Sequence, residues 1–181
     1  MTMQPADVLD FWFVQTPPER WWKVDPAFDA LIRDRFEGLL RQAAACELQG
    51  WRSDPRGRLA EVIVLDQFPR NIHRGTPAAF ACDPLALGLA QEAVAAGALA
   101  ALSPVERSFL LLPYMHSESP RIHEQAEALY REHAPAENLD FELRHKAIID
   151  RFGRYPHRNA LLGRESTAEE LEFLKQPGSS F

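Results

Sequence analysis

Two short stretches concentrate the side chains that could do chemistry. "LDQFPRNIHRGTP", residues 65–77, carries Asp66, Arg70, Asn71 and Arg74. "RFGRYPHRNALLGRES", residues 151–166, carries the four arginines Arg151, Arg154, Arg158 and Arg164, with His157 and Asn159 between them. The chain around them is acidic, with 20 Lys and Arg against 26 Asp and Glu and a net charge of −6. Positive charge gathered against that background points to an anion. Arginine offers a planar fork of donors that fits a carboxylate or phosphate in two parallel hydrogen bonds, and it stays charged when partly desolvated. In each stretch an Asn follows an Arg, and an aromatic residue followed by proline stands upstream: Phe68-Pro69 in one, Tyr155-Pro156 in the other. The two read as parallel solutions to one problem. Locking of loops onto carbonyls and onto acids such as Asp66, Glu118 and Asp150 is the alternative, and both readings stand open.

Acid–base candidates lie close by. Asp66 sits three residues after Ile63 and seven after Leu59, on the apolar face of a helical pattern. An ionised carboxylate there must be paired, because isolated burial costs several kcal/mol. It is either half of a structural salt bridge or a general base that also orients ligand. His116 and Glu118, in "YMHSES", flank a helix boundary. Their H-x-E spacing matches half of the zinc-deaminase signature, but the P-C-x-x-C half is absent and there is no H-E-x-x-H, so neither a metal nor a cofactor is read. His116 and His123 stand either side of Ser119-Pro120, which keeps them off one helix face. Ser117 lacks a G-x-S-x-G frame, and no Walker or dinucleotide glycine pattern occurs. His145 shares a face with Phe141, Ile148 and Phe152 and reads as a core histidine, while His73 and His133 read as surface residues.

Helices must position these groups. A capping residue followed by proline recurs at Asp25-Pro26, Asp54-Pro55, Thr76-Pro77, Asp83-Pro84, Ser103-Pro104 and Ser119-Pro120. The cap oxygen can accept from an orphan N–H, and proline at the first helical position gives up only an N–H that had no partner. Ser103 with Glu106 and Thr167 with Glu170 read as capping boxes. Apolar periodicity then predicts helices over 5–14, 26–47, 55–67, 84–96, 104–116, 120–133, 138–152 and 168–175, the seventh ending at Gly153. No strand run stands out. The expected fold is all-α, about eight helices in antiparallel hairpins.

At 181 residues and 46% hydrophobic content, one domain spanning 1–181 is expected. No run approaches the ~20 apolar residues of a membrane span. The start, MTMQPADVLDFWF, has no basic region or cleavage signal, so the expected location is cytoplasmic, with no membrane partner. Cys46 and Cys82 read as small buried hydrophobes. The negative net charge argues against a nucleic-acid partner.

Several segments, in order, resemble a known family: "DFWF", "WW", "DPAFDALI", "VLDQFPRNIHRGTPAAFACD", "LLPYMHSES" and "RFGRYPHRNALLGRESTAEELEFL". The chain resembles the bacterial domain of unknown function 924 over nearly its whole length. That resemblance implies an all-helical fold similar to tetratricopeptide-repeat (TPR) proteins, a TPR-like α/α superhelix, and implies no activity. Within those motifs fall Asp66, Arg70, Asn71, His116, Glu118, Arg151, Arg154, His157, Arg158 and Asn159. The leading expectation is a cleft in which Arg70, Asn71, Arg151, Arg154, Arg158 and Asn159 hold a small anionic ligand. Asp66, His116, Glu118 and His157 would supply acid–base, hydrolase-type chemistry there. The rival is a helical adaptor for a protein or peptide partner, with Trp12, Trp21, Trp22 or Trp51 in its groove; core packing is the plainer role for these aromatics.

Overall fold

The computed structural model describes residues 3–181. Among these the chain is all-helical, with no strand. The α-helices are α1 (Pro5–Asp10), α2 (Pro26–Ala44), α3 (Pro55–Asp66), α4 (Phe68–Ile72), α5 (Asp83–Ala95), α6 (Pro104–Met115), α7 (Pro120–His133), α8 (Ala136–Phe152) and α9 (Ala168–Phe173). All eight predicted helices are present. The addition is α4, a five-residue segment that restarts after Gln67, where Pro69 can enter a first turn but not a helix interior.

Side-chain caps form where the cap and proline signal is strongest. Asp25 accepts from the amides of Ala27 and Phe28, and Asp54 from that of Gly57. Ser103 and Thr167 close capping boxes with Glu106 and Glu170. Thr76 and Ser119 make no side-chain cap. Asp83 lies inside α5 rather than before it, which leaves its carboxylate for another partner.

The packing centres on α3, which lies against α1, α2, α5 and α6. Every residue from Leu59 to Asp66 is buried, as expected of a helix enclosed on all sides. Two of them are acids, and each is matched: Glu61 receives both arms of Arg52 at 2.8 and 2.7 Å, and Asp66 enters the site described below. The aromatic end of the core gathers Phe11, Trp12, Phe28, Phe36 and Phe68, with Phe109 edge-on to Trp12 at 5.8 Å. Trp22 is 63% exposed and lies flat on Phe109. Helices α7 and α8 pair across a two-residue connection. A second, smaller cluster forms from Ile148, Ile149 and Tyr155, with Phe152 and Phe173 against it.

Cys46 departs from the sequence reading. It is exposed, in a left-handed turn (φ 59°) just beyond α2; Cys82 is partly buried. Gly57 is required by close approach, because a Cβ there would meet the carbonyl oxygen of Trp51 at 2.0 Å. Gly57→Ala is therefore expected to cost about 1–3 kcal/mol, read as a lower urea midpoint; a midpoint equal to wild type would show that the Trp51 turn yields freely.

Candidate functional site

Four chain segments meet where α3 ends. Asp66 closes α3, Arg70 comes from α4, Asp83 opens α5, and His116 stands at the C-terminal end of α6. The loop after α8 adds Tyr155, His157 and Arg158 through a single 3₁₀ turn, Pro156–Arg158.

Asp66 is 1% exposed. Its Oδ1 is 2.7 Å from His116 Nδ1, its Oδ2 accepts from Gln67 Nε2 at 2.6 Å, and Arg70 lies 3.5 Å away. Burial opposes ionisation of Asp66, but His116 and Arg70 beside it, with hydrogen bonds from His116 and Gln67, hold its carboxyl well below the ordinary carboxylate range. Burial and then the Arg70 charge pull His116 below the ordinary histidine value, against the attraction of Asp66. An ionised carboxylate only accepts, so the proton of the neutral imidazole is assigned to Nδ1. Nε2 is left as a basic lone pair on a side chain 15% exposed.

The cations are arranged unequally. Arg70 binds Asp83 through both arms, at 2.8 and 2.9 Å, and the Asp66 carbonyl at 2.6 Å. Arg158 has far less. Its side chain is 8% exposed, its ion contact is Asp83 Oδ2 at 3.7 Å, and its Nε finds no partner among the described residues. Its guanidinium carbon lies over the rings of both Phe80 and Tyr155, 4.7 and 4.6 Å from their centroids, a pair of cation–π contacts that leaves its N–H donors as the groups a ligand would meet. Burial, then repulsion from Arg70, lowers the Arg158 proton affinity, which is the mark of a cation short of counter-charge. Its neighbour His157 also has a buried Nδ1 without a partner. Burial, then the Arg158 charge, pulls His157 down to about 4.

A second layer fixes the loop. Tyr155 donates its hydroxyl to Met115 O at 2.5 Å and its amide to Glu118 at 2.7 Å. Glu118 also takes both arms of Arg164, at 2.7 and 2.9 Å. Burial would raise the Glu118 carboxyl, but Arg164 and the Tyr155 amide bring it below its ordinary value. Behind this, buried His123 bonds Glu142 through Nδ1 at 2.7 Å and Ser117 O through Nε2 at 2.8 Å. The Ser117 hydroxyl is engaged by the Ser119 amide.

Asp66, Arg70, His116, His157 and Arg158 thus come together, with Glu118 at the edge as a staple between the end of α6 and the loop. The other four sequence candidates are held elsewhere, each by a nearer acid. Asn71 donates to Asp29 at 2.9 Å, beside Arg74 on the same carboxylate. Arg151 pairs with Glu169, and Arg154 grips Glu170 with two nitrogens, at 2.7 and 2.8 Å. Asn159 donates to Ser166 and Glu170. Sequence reasoning missed Asp83, Phe80 and Tyr155 as site residues. Asp83 looked like a helix cap, and only its placement one residue inside the helix frees it for Arg70. Among the described residues, no group of three or more His, Cys, Asp or Glu is placed to hold a metal ion, and no helix is long and apolar enough to cross a membrane.

Comparison with known proteins agrees with this fold. The family model for a bacterial protein of unknown function, DUF924, matches residues 8–178. A solved structure of a protein of unknown function from Agrobacterium tumefaciens is similar, at 40% identity and a TM-score of 0.90, covering 94% of this chain and 96% of that one. No curated protein matches the chain.

Proposed function

The chain belongs to the bacterial DUF924 family of unknown function, and from that premise we propose that it binds a small oxyanion on Arg158 and uses His116, oriented by Asp66, as a general base beside it. One observation carries the reading: a guanidinium over nine-tenths buried, packed over two aromatic rings, has an unpartnered Nε and one distant carboxylate already claimed by Arg70. A phosphate or carboxylate would complete it. A neutral imidazole with Nδ1 on a buried carboxylate is the arrangement that makes Nε2 a proton acceptor, as hydrolytic chemistry requires. The pairing of α7 with α8 and of α6 with α7 supports a TPR-like stacking of hairpins. Two free cysteines support a reducing, cytoplasmic setting.

Inorganic phosphate and acetate, each titrated against chloride at constant ionic strength, test the reading by thermal shift, since a ligand of the folded form alone raises its stability. Phosphate is expected to raise the Tm of wild type and not that of Arg158→Ala, with Arg158→Lys between them. Equal shifts in wild type and R158A would overturn the proposal. The peptide-adaptor alternative draws on exposed Trp22 and Val24; Trp22→Ala should weaken peptide capture there and leave the phosphate shift intact.

A further inference from the structure

Next to the buried guanidinium, an aromatic ring is stacked on a histidine. The Phe181 ring lies 3.7 Å from that of His145, with 26° between their planes, and 6.2 Å from that of His157. Tyr155 is a wall common to both features. Its ring is 5.8 Å from His145, 5.6 Å from His157 and 4.6 Å from the Arg158 guanidinium carbon. The seat of one flat ring and the buried cation therefore share one wall, Tyr155.

The seat is built and the occupant is not firmly held. His145 Nδ1 donates to the Phe141 carbonyl at 2.7 Å, which fixes the plane of the imidazole. Burial keeps that ring uncharged, near pKa 3, so it offers a π face. Phe181 is 54% exposed, and the turn leading to it is tied back by the Ser179 hydroxyl on Leu174 O. A ring half in water gives up one stacking contact on leaving, while a ligand ring tethered to an anion next door would take over that same surface.

We propose that the site takes an oxyanion carried on a flat ring, an aryl or heteroaryl phosphate or carboxylate, with its charge on Arg158 and its ring on the His145 face that Phe181 now covers. The position of the charged group rests on the anion reading above; the ring seat stands on the stacking geometry alone.

Calorimetric titration of phenyl phosphate and inorganic phosphate into wild type and Phe181→Ala tests this. Phe181→Ala is expected to tighten phenyl phosphate by about 3- to 10-fold, the range of one aromatic stacking contact, and to leave inorganic phosphate unchanged. Phosphate binding with no gain for phenyl phosphate in F181A would overturn the ring seat and leave the anion reading standing. Benzyl alcohol, a ring without the charge, separates the two ideas from the other side. It should shift the His145 imidazole NMR resonances in F181A whether or not anions bind, and unmoved resonances would sink the proposal by themselves.

Discussion

Replacing Asp66 with alanine is expected to lower the unfolding free energy by about 3–5 kcal/mol, the largest loss for any polar residue near the site. Asp66 is enclosed at the end of α3 and answers three groups at once: His116, Gln67 and Arg70. Alanine leaves the His116 Nδ1–H and the Gln67 amide without their acceptor in a place water does not reach. It also leaves Arg70 with Asp83 as its remaining acid. Removing one partner of a buried set costs more than the set contributes net, because the survivors stay desolvated. Asp66→Asn keeps the volume and one acceptor and should lose roughly half as much. Urea denaturation of the three proteins at neutral pH decides it. A loss under about 1 kcal/mol for D66A would mean that the neighbours find other partners or water.

The second large effect is a loss of stability in mild acid. His145 is pulled down to about 3 by burial, and His157 to about 4 by burial and then the Arg158 charge. His116 is lowered in the same sense. In the unfolded chain each titrates near 6.5. Between pH 6.5 and about 4, the unfolded chain therefore binds protons that the folded protein refuses, and stability falls as pH falls. Each unit of displacement is worth about 1.4 kcal/mol, so the histidines together account for several. Glu142 works against them. Burial raises its carboxyl despite His123, so its share of stability declines as pH rises. Asp66 and Glu118, both lowered, join only below the ordinary carboxylate range near 4. A slope already present between pH 6.5 and 4.5 is thus the histidine signature. His145→Asn retains a donor for the Phe141 carbonyl but cannot titrate, and it should flatten that slope visibly in urea midpoints taken from pH 7.5 to 4.5. An unchanged slope in H145N would remove His145 from the account.

The helices were legible because their punctuation is local. Asp54-Pro55 or the Ser103 and Glu106 box fixes a helix start whatever lies elsewhere in the fold, and periodicity fixes the inward face. Asp66 could likewise be marked as a buried acid from its register with Leu59 and Ile63. What the residue order could not carry was the choice among partners. Arg151, Arg154 and Arg158 look alike in sequence, yet the first two meet Glu169 and Glu170 on α9 while the third turns inward over Phe80 and Tyr155. That difference arises from which acids the tertiary packing brings within reach. Cys46 is exposed for a related reason: it lies past the end of α2 in a left-handed turn, where helical periodicity no longer decides which residues are buried.

Asp83 opens a thirteen-residue helix and accepts from Arg70 with both carboxylate oxygens, so that guanidinium is fixed to the start of α5. Arg70 takes its aim from α4, whereas Arg158 takes its own from the loop after α8. Both nonetheless answer to Asp83, gripped by Arg70 at 2.8 Å and 3.7 Å from Arg158, so two distant parts of the chain are moored to one carboxylate.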